Sequence, residues 1–390
     1  MAERLNLAVV TETFPPEVNG VARTIGMMVT ELCNRGHGLS IFRPRQLGEP
    51  GGSYEGRVKT KLLPGLAVPF YPEVRMGWPL FRFFQNAWSQ TRPDLVHIVT
   101  EGPLGWSALK AAKKLKIPVV SDFHTNFHTY SSYYKMGLGR SLVKTYLRRF
   151  HNQTQATLVP TATLKESMEL EGYQRLLVVG RGVDTELFHP SRRSTALRRT
   201  WKCSDSDPVF LYVGRIAPEK NLELLVEAFE RISLQKPNAK LVLVGDGPLR
   251  NKLKSRLPAA VFPGVRRGES LARYYASADL FLFPSLSETF GNVVLEAMAS
   301  GLAVISFDDA AASSVIESGK NGLLVPTQDQ SLFSKSIQDL IATSDIWRQW
   351  GERARLAALG YSWERVVDDL ESIFFQMAHH EGRISCKAIS

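Results

Sequence analysis

The sequence predicts an α/β chain built on two doubly wound parallel sheets, and three observations carry that reading. Short apolar runs rich in Val, Leu and Ile alternate with helical patterns along nearly the whole chain, the order of a parallel sheet covered on both faces. The alternation starts again after a polar interval. At 390 residues the chain also exceeds the roughly 250 to 300 at which one core stops growing. Two domains follow, the first over 1–188 and the second over 189–362, with a loose polar tail at 379–390.

The elements run in order. LNLAVVTE, HGLSIFRP, DLVHIVTE, IPVVSDFH, ATLVPTA and LLVVGRG read as buried strands, with helical stretches such as ARTIGMMVTELCNRG and PLGWSALKAAKKLK between them. ELFHPSRRSTALRRTW, Glu186 to Trp201, is polar, basic and Pro-containing, and reads as the boundary. The second series is PVFLYVGRI, KLVLVGDGP, AVFPGV, LFLFPS, LAVISFD and GLLVPTQ, again separated by helices such as LELLVEAFERISLQ. Open α/β sheets bind ligands outside the carboxyl ends of their strands, so two such domains facing each other across a cleft would place the site between them.

Composition narrows the class. Hydrophobic residues at 44% and charged residues at 22% are ordinary for a globular chain, and no apolar run is long enough to span a membrane. The N-terminus enters a strand pattern without a cleavable hydrophobic segment, which argues against export. Cys33, Cys203 and Cys386 are too far apart for a metal motif or disulfide framework, so a cytoplasmic location is expected. The net charge of +10 is uneven: residues 1–190 carry 23 Lys and Arg against 15 Asp and Glu, and residues 191–390 carry 25 against 23. Such an excess draws the first half toward nucleic acid, acidic lipid or a phosphorylated substrate.

The chemistry concentrates in a few segments. In LFLFPSLSETFGNVVLEAMASG a strand leads through a loop into a helix that starts near Gly291 and stops at Gly301. The amides of Thr289, Phe290, Gly291 and Asn292 would face outward with the positive end of the helix dipole behind them, which makes an anion site. Glu288 before the helix and Glu296 in its second turn can accept hydrogen bonds from paired sugar hydroxyls. VGRIAPEKN leaves its strand through Gly214 and delivers Arg215 and Lys220 at the strand's carboxyl end, two side chains suited to phosphate. GDGP, Gly245 to Pro248, closes the next strand with a tight turn. In the first half, Asn19-Gly20 ends a loop before a helix that begins near Val21, with no side chain at Gly20 to keep a phosphate away, and His124 ends a strand. His97, inside LVHIV, reads as a core residue. Neither the dinucleotide-binding glycine pattern nor a P-loop is present.

Together these segments resemble the retaining glycosyltransferases of family 4, which have the two-Rossmann-domain architecture called GT-B. The resemblance covers nearly the whole chain. Its most specific element is the E-x7-E spacing of Glu288 and Glu296, supported by GRIAPEKN, GDGP, GRGVDTELFHP and ETFPPEVNGVART; one departure is Ala303, where the family commonly has proline. The resemblance implies that Arg215 and Lys220 neutralise a donor diphosphate and Glu296 holds the nucleotide ribose. Glu288, with the amides of Phe290 and Gly291, would hold the transferred sugar. Gly20 would lend an amide to the phosphate, His124 would meet the sugar beside its reacting carbon, and backbone near Val265 would contact the base. It further implies a last helix, 363–378, that crosses back onto the first domain.

The implied reaction moves a hexose from a nucleotide-diphosphate sugar, GDP-mannose or UDP-glucose, with retention and without a metal, since no DxD-like cluster is visible and two cations can replace a divalent ion. No cofactor is expected. The acceptor is expected to be lipid or lipid-linked and met at the cytoplasmic membrane face. GRSLVKTYLRRF is a basic amphipathic pattern with Arg140, Lys144 and Arg148 at i, i+4 spacing, and PFYPEVRMGWPLFRFFQNAW adds aromatics with Arg75 and Arg82. Two other readings stay open: a sugar phosphorylase of the same architecture, and a basic nucleic-acid-binding protein, although no recognisable nucleic-acid module accompanies the charge.

Overall fold

A computed structural model of the chain describes residues 3–17, 19–46, 49, 54–55, 58–68, 71–124, 139–286, 288, 290–341 and 344–379. Thr289 and the tail beyond His379 lie outside the described residues. The chain forms two compact units. One holds the described residues up to Gly180 together with the helix that begins at Trp363, and the other holds those from Arg181 to Ser362.

The first unit is built on an eight-stranded sheet in which β1 (Asn6–Val10), β2 (Gly38–Pro44) and β4 (Val58–Leu63) lie in parallel toward one edge, followed by the short antiparallel β3 (Tyr54–Glu55). Toward the other edge β1 is followed by β7 (Leu95–Ile98), β8 (Val119–Asp122), β9 (Ala156–Val159) and β10 (Leu176–Val178). Strand β1 explains why the predicted strands read as unbroken apolar runs. Its alternate residues Leu7 and Val9 enter one core while Ala8 and Val10 enter another, so both faces are covered. Ile25 and Met28 of the helix Gly20–Asn34 and Val367, Leu370 and Phe374 of the helix Trp363–His379 form the first core. Phe84 and Trp88 of Phe81–Gln90, with Leu104 and Ala108 of Pro103–Lys114, form the second.

Between β4 and Phe81 the chain makes a separate two-stranded antiparallel hairpin, β5 (Gly65–Val68) with β6 (Tyr71–Gly77), which the sequence did not announce.

The second unit carries a six-stranded parallel sheet in the order β13 (Val261–Gly264), β12 (Lys240–Val244), β11 (Val209–Val213), β14 (Leu280–Phe283), β15 (Ala303–Phe307), β16 (Gly322–Val325). The division between units precedes the basic stretch 186–201 that composition marks as a boundary, and packing explains the difference. Val183 and Phe188 are already buried in the core of the second unit. Arg198 is fully buried there, donating to the carbonyls of Ser277 (2.8 Å) and Ser204 (2.8 Å) and pairing with Asp279 at 3.1 Å. A basic segment therefore looks like a linker while serving as an interior brace.

The final helix is part of the first unit's core, with Phe374 buried and its ring edge-on to His97 at 5.2 Å. Phe374→Ala is expected to cost the first unit about 3 to 4 kcal/mol, the usual consequence of a large core cavity. Hydrogen exchange in β1 and β7 measures it, and protection equal to the parent would mean the helix is not structural there.

Candidate active site

In the second sheet the chain winds from β11 out to β13, then returns to β14 and winds the other way to β16. Such a reversal leaves a crevice at the carboxyl ends of the two central strands, the position where open α/β sheets take ligands. The loop after β11, Gly214 to Asn221, is fixed by the turn after β12. The Gly214 amide donates to the Val244 carbonyl (3.0 Å), that of Ile216 to Asp246 (2.8 Å) and that of Leu249 to Ile216 (3.0 Å). A Cβ on Gly245 would sit 1.9 Å from the Gly214 carbonyl oxygen, and one on Gly247 would sit 2.4 Å from that of Ile216. GDGP is thus a buttress for GRIAPEKN, and its glycines are there because backbone meets backbone.

Within that loop Pro218–Lys220 make a 3-10 turn, and Asn221 at φ 52° passes the chain into the helix Leu222–Gln235. The turn buries Glu219 and Lys220. Arg215 stays partly exposed, with Nη1 3.3 Å from Glu219 Oε1. The Lys220 ammonium pairs with the carboxylate of Glu288, which belongs to the loop after β14. Two side chains from the strands flanking the reversal therefore touch.

The helix that follows Glu288 is Asn292–Ala299, with Gly291 as its N-cap at φ 91° and no side-chain cap. A Cβ on Gly291 would come 3.3 Å from the Phe283 ring, and positive φ there suits glycine. Phe290 is buried, and its carbonyl accepts the Ala311 amide at 2.8 Å. Glu296 is buried on this helix and not turned to solvent. At the carboxyl end of β15, Asp309 is pushed above the ordinary carboxylate range by burial, and the charges of Glu288 and Asp308 push the same way. A second carboxylate therefore lies within electrostatic reach of Glu288.

The first sheet has its own reversal, between β1 and β7. Glu12 leaves the end of β1, its amide donating to Thr100 Oγ1 (2.8 Å) and its Oε1 accepting from the Gly77 amide (3.1 Å). Burial pushes its carboxyl up to about 7 against the hydrogen bonds it accepts from the Gly77 and Leu104 amides, with the charge of Glu101 adding to the rise. Glu101 lies 3.1 Å from His151 Nε2, and His151 Nδ1 is 3.0 Å from Ser121 Oγ. Tyr146 donates to the Glu101 carbonyl and stacks on Trp106 at 5.6 Å; burial, with the charges of Glu101 and Glu12, pushes its phenol up to about 12.

At the end of β8 the fully buried Asp122 meets His124 Nε2 at 2.8 Å and His97 Nε2 at 3.2 Å. Only the His124 contact has the alignment of a hydrogen bond. Burial alone would raise Asp122, but the charges of the two histidines, together with the hydrogen bond to His124, hold it well below the usual carboxylate range. Asn19 caps the helix Gly20–Asn34 by accepting the Ala22 amide at 2.8 Å, and the space around Gly20 is open.

Comparison with known proteins decides the family. Residues 18–187 match the model of Glycosyltransferase Family 4, and residues 194–357 match that of Glycosyl transferases group 1. A GDP-mannose-dependent alpha-mannosyltransferase of Mycobacterium tuberculosis is 34% identical over 371 residues, 94% of this chain and 95% of that protein. The chain belongs to glycosyltransferase family 4. An alpha-monoglucosyldiacylglycerol synthase of Streptococcus pneumoniae is 28% identical, covering 88% of this glycosyltransferase and 80% of its own length. The fold matches that of sucrose-phosphate synthase from Thermosynechococcus elongatus, with a TM-score of 0.78 at 19% identity over 95% of this chain and 98% of that one. The two parallel-sheet domains are thus those of a GT-B glycosyltransferase.

Of the residues singled out in this glycosyltransferase, Lys220 and Glu288 are in contact, and Gly214, Arg215, Phe290, Gly291, Asn292 and Glu296 lie in the two segments that carry them. Val265 is exposed beyond the edge strand β13, with β12 between that strand and β11. Gly20 and His124 belong to the first unit. His97 is buried as expected of a core residue, but it faces a carboxylate, which a lone strand histidine does not advertise. Glu12, Asp122 and Asp309 were not singled out, although each is an acid at the end of an apolar strand run.

Glu12 offers a pH test. Its folded pKa lies above the ordinary 4.5, so the stability it contributes is full below about pH 4.5 and is lost as pH rises through about 7. Glu12→Gln is expected to gain on the parent by about 3 kcal/mol between about pH 4.5 and 8, because each tenfold change in proton affinity corresponds to about 1.4 kcal/mol. Urea midpoints across that range measure it, and a difference that does not vary with pH would refute it.

Proposed function

We propose that this glycosyltransferase transfers mannose from GDP-mannose to a lipid or lipid-linked acceptor at the cytoplasmic membrane face, with retention of anomeric configuration and without a metal ion. The observation that carries the reading is the Lys220–Glu288 contact at the strand reversal of the second unit, beside a helix N-terminus. A nucleoside diphosphate needs cations and amide dipoles held in place before the bond breaks, and the loops after β11 and β14 bring a cation and a helix N-terminus together at one strand reversal. The donor is chosen from the mannosyltransferase relative, and the lipid class of acceptor from the diacylglycerol relative.

In this reading Lys220 and Arg215 take the diphosphate. Glu288, released from Lys220 as phosphate oxygens replace it, accepts from hydroxyls of the transferred hexose, which the amides of Phe290 and Gly291 also meet. Glu296 accepts from the ribose, backbone near Val265 meets the base, and Gly20 lends an amide from the first unit. The bond from the anomeric carbon to phosphate oxygen breaks, the acceptor oxygen bonds to that carbon on the same face, and the acceptor's proton passes to the departing phosphate. His124 stands beside that carbon. Glu288 and Glu296 do not act here as a hydrolytic acid and nucleophile.

Lys220→Ala and Glu288→Ala are each expected to lower turnover about tenfold to a thousandfold, the range for removing one preorganised group. Chelator is expected to leave transfer unchanged, and GDP is expected to raise the melting temperature more than UDP. Near-parental turnover in both variants would reject the site. Stabilisation by UDP alone would move the donor to UDP-glucose.

A further inference from the structure

We infer that the β5–β6 hairpin is the element by which this protein docks on an anionic lipid bilayer, an inference that rests on the membrane-face reading above and names its surface. Two segments with basic amphipathic character stood out in the sequence, and the structure treats them differently. In the helix Gly139–His151, Leu147 and Phe150 are buried in the first unit. Lys144 Nζ pairs with Glu171 Oε1 at 2.9 Å, and Arg148 Nη1 donates to the Glu171 carbonyl at 3.0 Å. The side chain of Arg140 lies outside the described ones. Leu142, 75% exposed, is what remains of its apolar stripe on the surface besides part of Tyr146, whose hydroxyl is already engaged with Glu101. That helix spends its chemistry inside its own unit.

The hairpin does the opposite. Leu66 and Met76 are cross-strand partners and so project from the same face, and they are 61% and 40% exposed. Trp78, two residues beyond Met76, is 49% exposed, and its amide is pinned to the Pro64 carbonyl at 3.1 Å. Three large apolar side chains thus stand outward on a hairpin whose backbone is tied down, by the Trp78 amide at one end and by Arg75, which donates to the Gly65 carbonyl at 2.6 Å. A cluster of this kind on a globular surface marks a place where something apolar is met.

Charge selects the occupant. The hairpin is entered from β4, which exposes Lys59 and Lys61, and is left toward the helix Phe81–Gln90, which exposes Arg82. Residues 57–92 hold six Lys and Arg (Arg57, Lys59, Lys61, Arg75, Arg82 and Arg92) against one carboxylate, Glu73. A second copy of this chain would bring the same positive field and be repelled. An anionic bilayer offers the complementary charge at its headgroups and an apolar layer just beneath, where a tryptophan ring sits well.

The test uses full-length protein and flotation with vesicles of phosphatidylcholine, with and without phosphatidylglycerol. Binding to the anionic vesicles is expected, weakened at high salt, and at least about tenfold lower for Leu66→Ser/Trp78→Ser, since each lost side chain removes more than a kcal/mol of burial. Leu142→Ser is expected to bind as the parent does, and Lys59→Gln/Lys61→Gln to lose binding at low salt. GDP-induced thermal stabilisation, read in every variant, reports an intact fold and donor site. Binding by Leu66→Ser/Trp78→Ser equal to the parent, equal parental binding to neutral vesicles, or a parental dimer that this variant breaks would each overturn the inference. Failure of hexose transfer with vesicle binding preserved would count against the proposed reaction and leave the hairpin's role standing.

Discussion

Lys220 and Glu288 stand 68 positions apart in the sequence, and they meet because the strands that precede them are neighbours at the one place where the second sheet changes its winding direction. A parallel sheet sends every loop that follows a strand to the same edge, but most of those loops are separated by the crossovers between them. Only at the reversal do two such loops diverge and leave room. Both partners are largely buried, so their attraction is screened less than a surface pair's and removing either would strand a desolvated charge. In the proposed reading, a diphosphate arriving there would exchange one anionic partner of Lys220 for another, a smaller electrostatic change than neutralising a bare ammonium. The buttressing glycines serve the same end: Gly245 and Gly247 let the second turn press on the first, so the lysine's loop cannot relax away from the strand ends.

The reversal in the first sheet has a different electrostatic character. Its strand ends gather Glu12, Glu101 and Asp122 with His124, His151 and Tyr146, and no lysine or arginine is paired with these acids in the contacts described. Part of the first half's basic surplus lies on β4, which β1 and β2 separate from β7. Net charge summed over a half-chain merged two unrelated populations: acids drawn into strand ends, and cations left on an edge.

What the sequence made legible follows the same division. Strands covered on both faces leave a continuous apolar run, and that run is visible whatever the partner strands are, so the two sheets were readable. Short-range geometry was readable as well, because the seven-residue gap between Glu288 and Glu296 spans one turn and one helix start. Long-range pairing was not. Nothing local marks Lys220 as the partner of Glu288, Asp122 as the partner of His97, or Arg198 as a buried brace, since each depends on residues brought in by another strand or loop. The stretch 186–201 contains the break between the two family models, at 187 and 194, yet its charges suggest solvent while the carbonyls that satisfy Arg198 come from segments further along the chain. Glu12 was hidden differently, because a glutamate after a strand is common, and it takes the Gly77 amide from the hairpin's end and the Leu104 amide to reveal that this one is enclosed.

Asp122 shows how such enclosure becomes a constraint on chemistry. A carboxylate with no exposure would ordinarily take up a proton, yet two imidazoles hold it ionised, and that is possible only if both rings keep their Nε2 edges toward it. His97 is fixed in turn by the ring of Phe374 on the final helix. A chain of contacts thus runs from His124 at the end of β8 through Asp122 and His97 to Phe374. The last helix, which in sequence lies far from the loops of either strand reversal, still packs against an imidazole that faces this carboxylate.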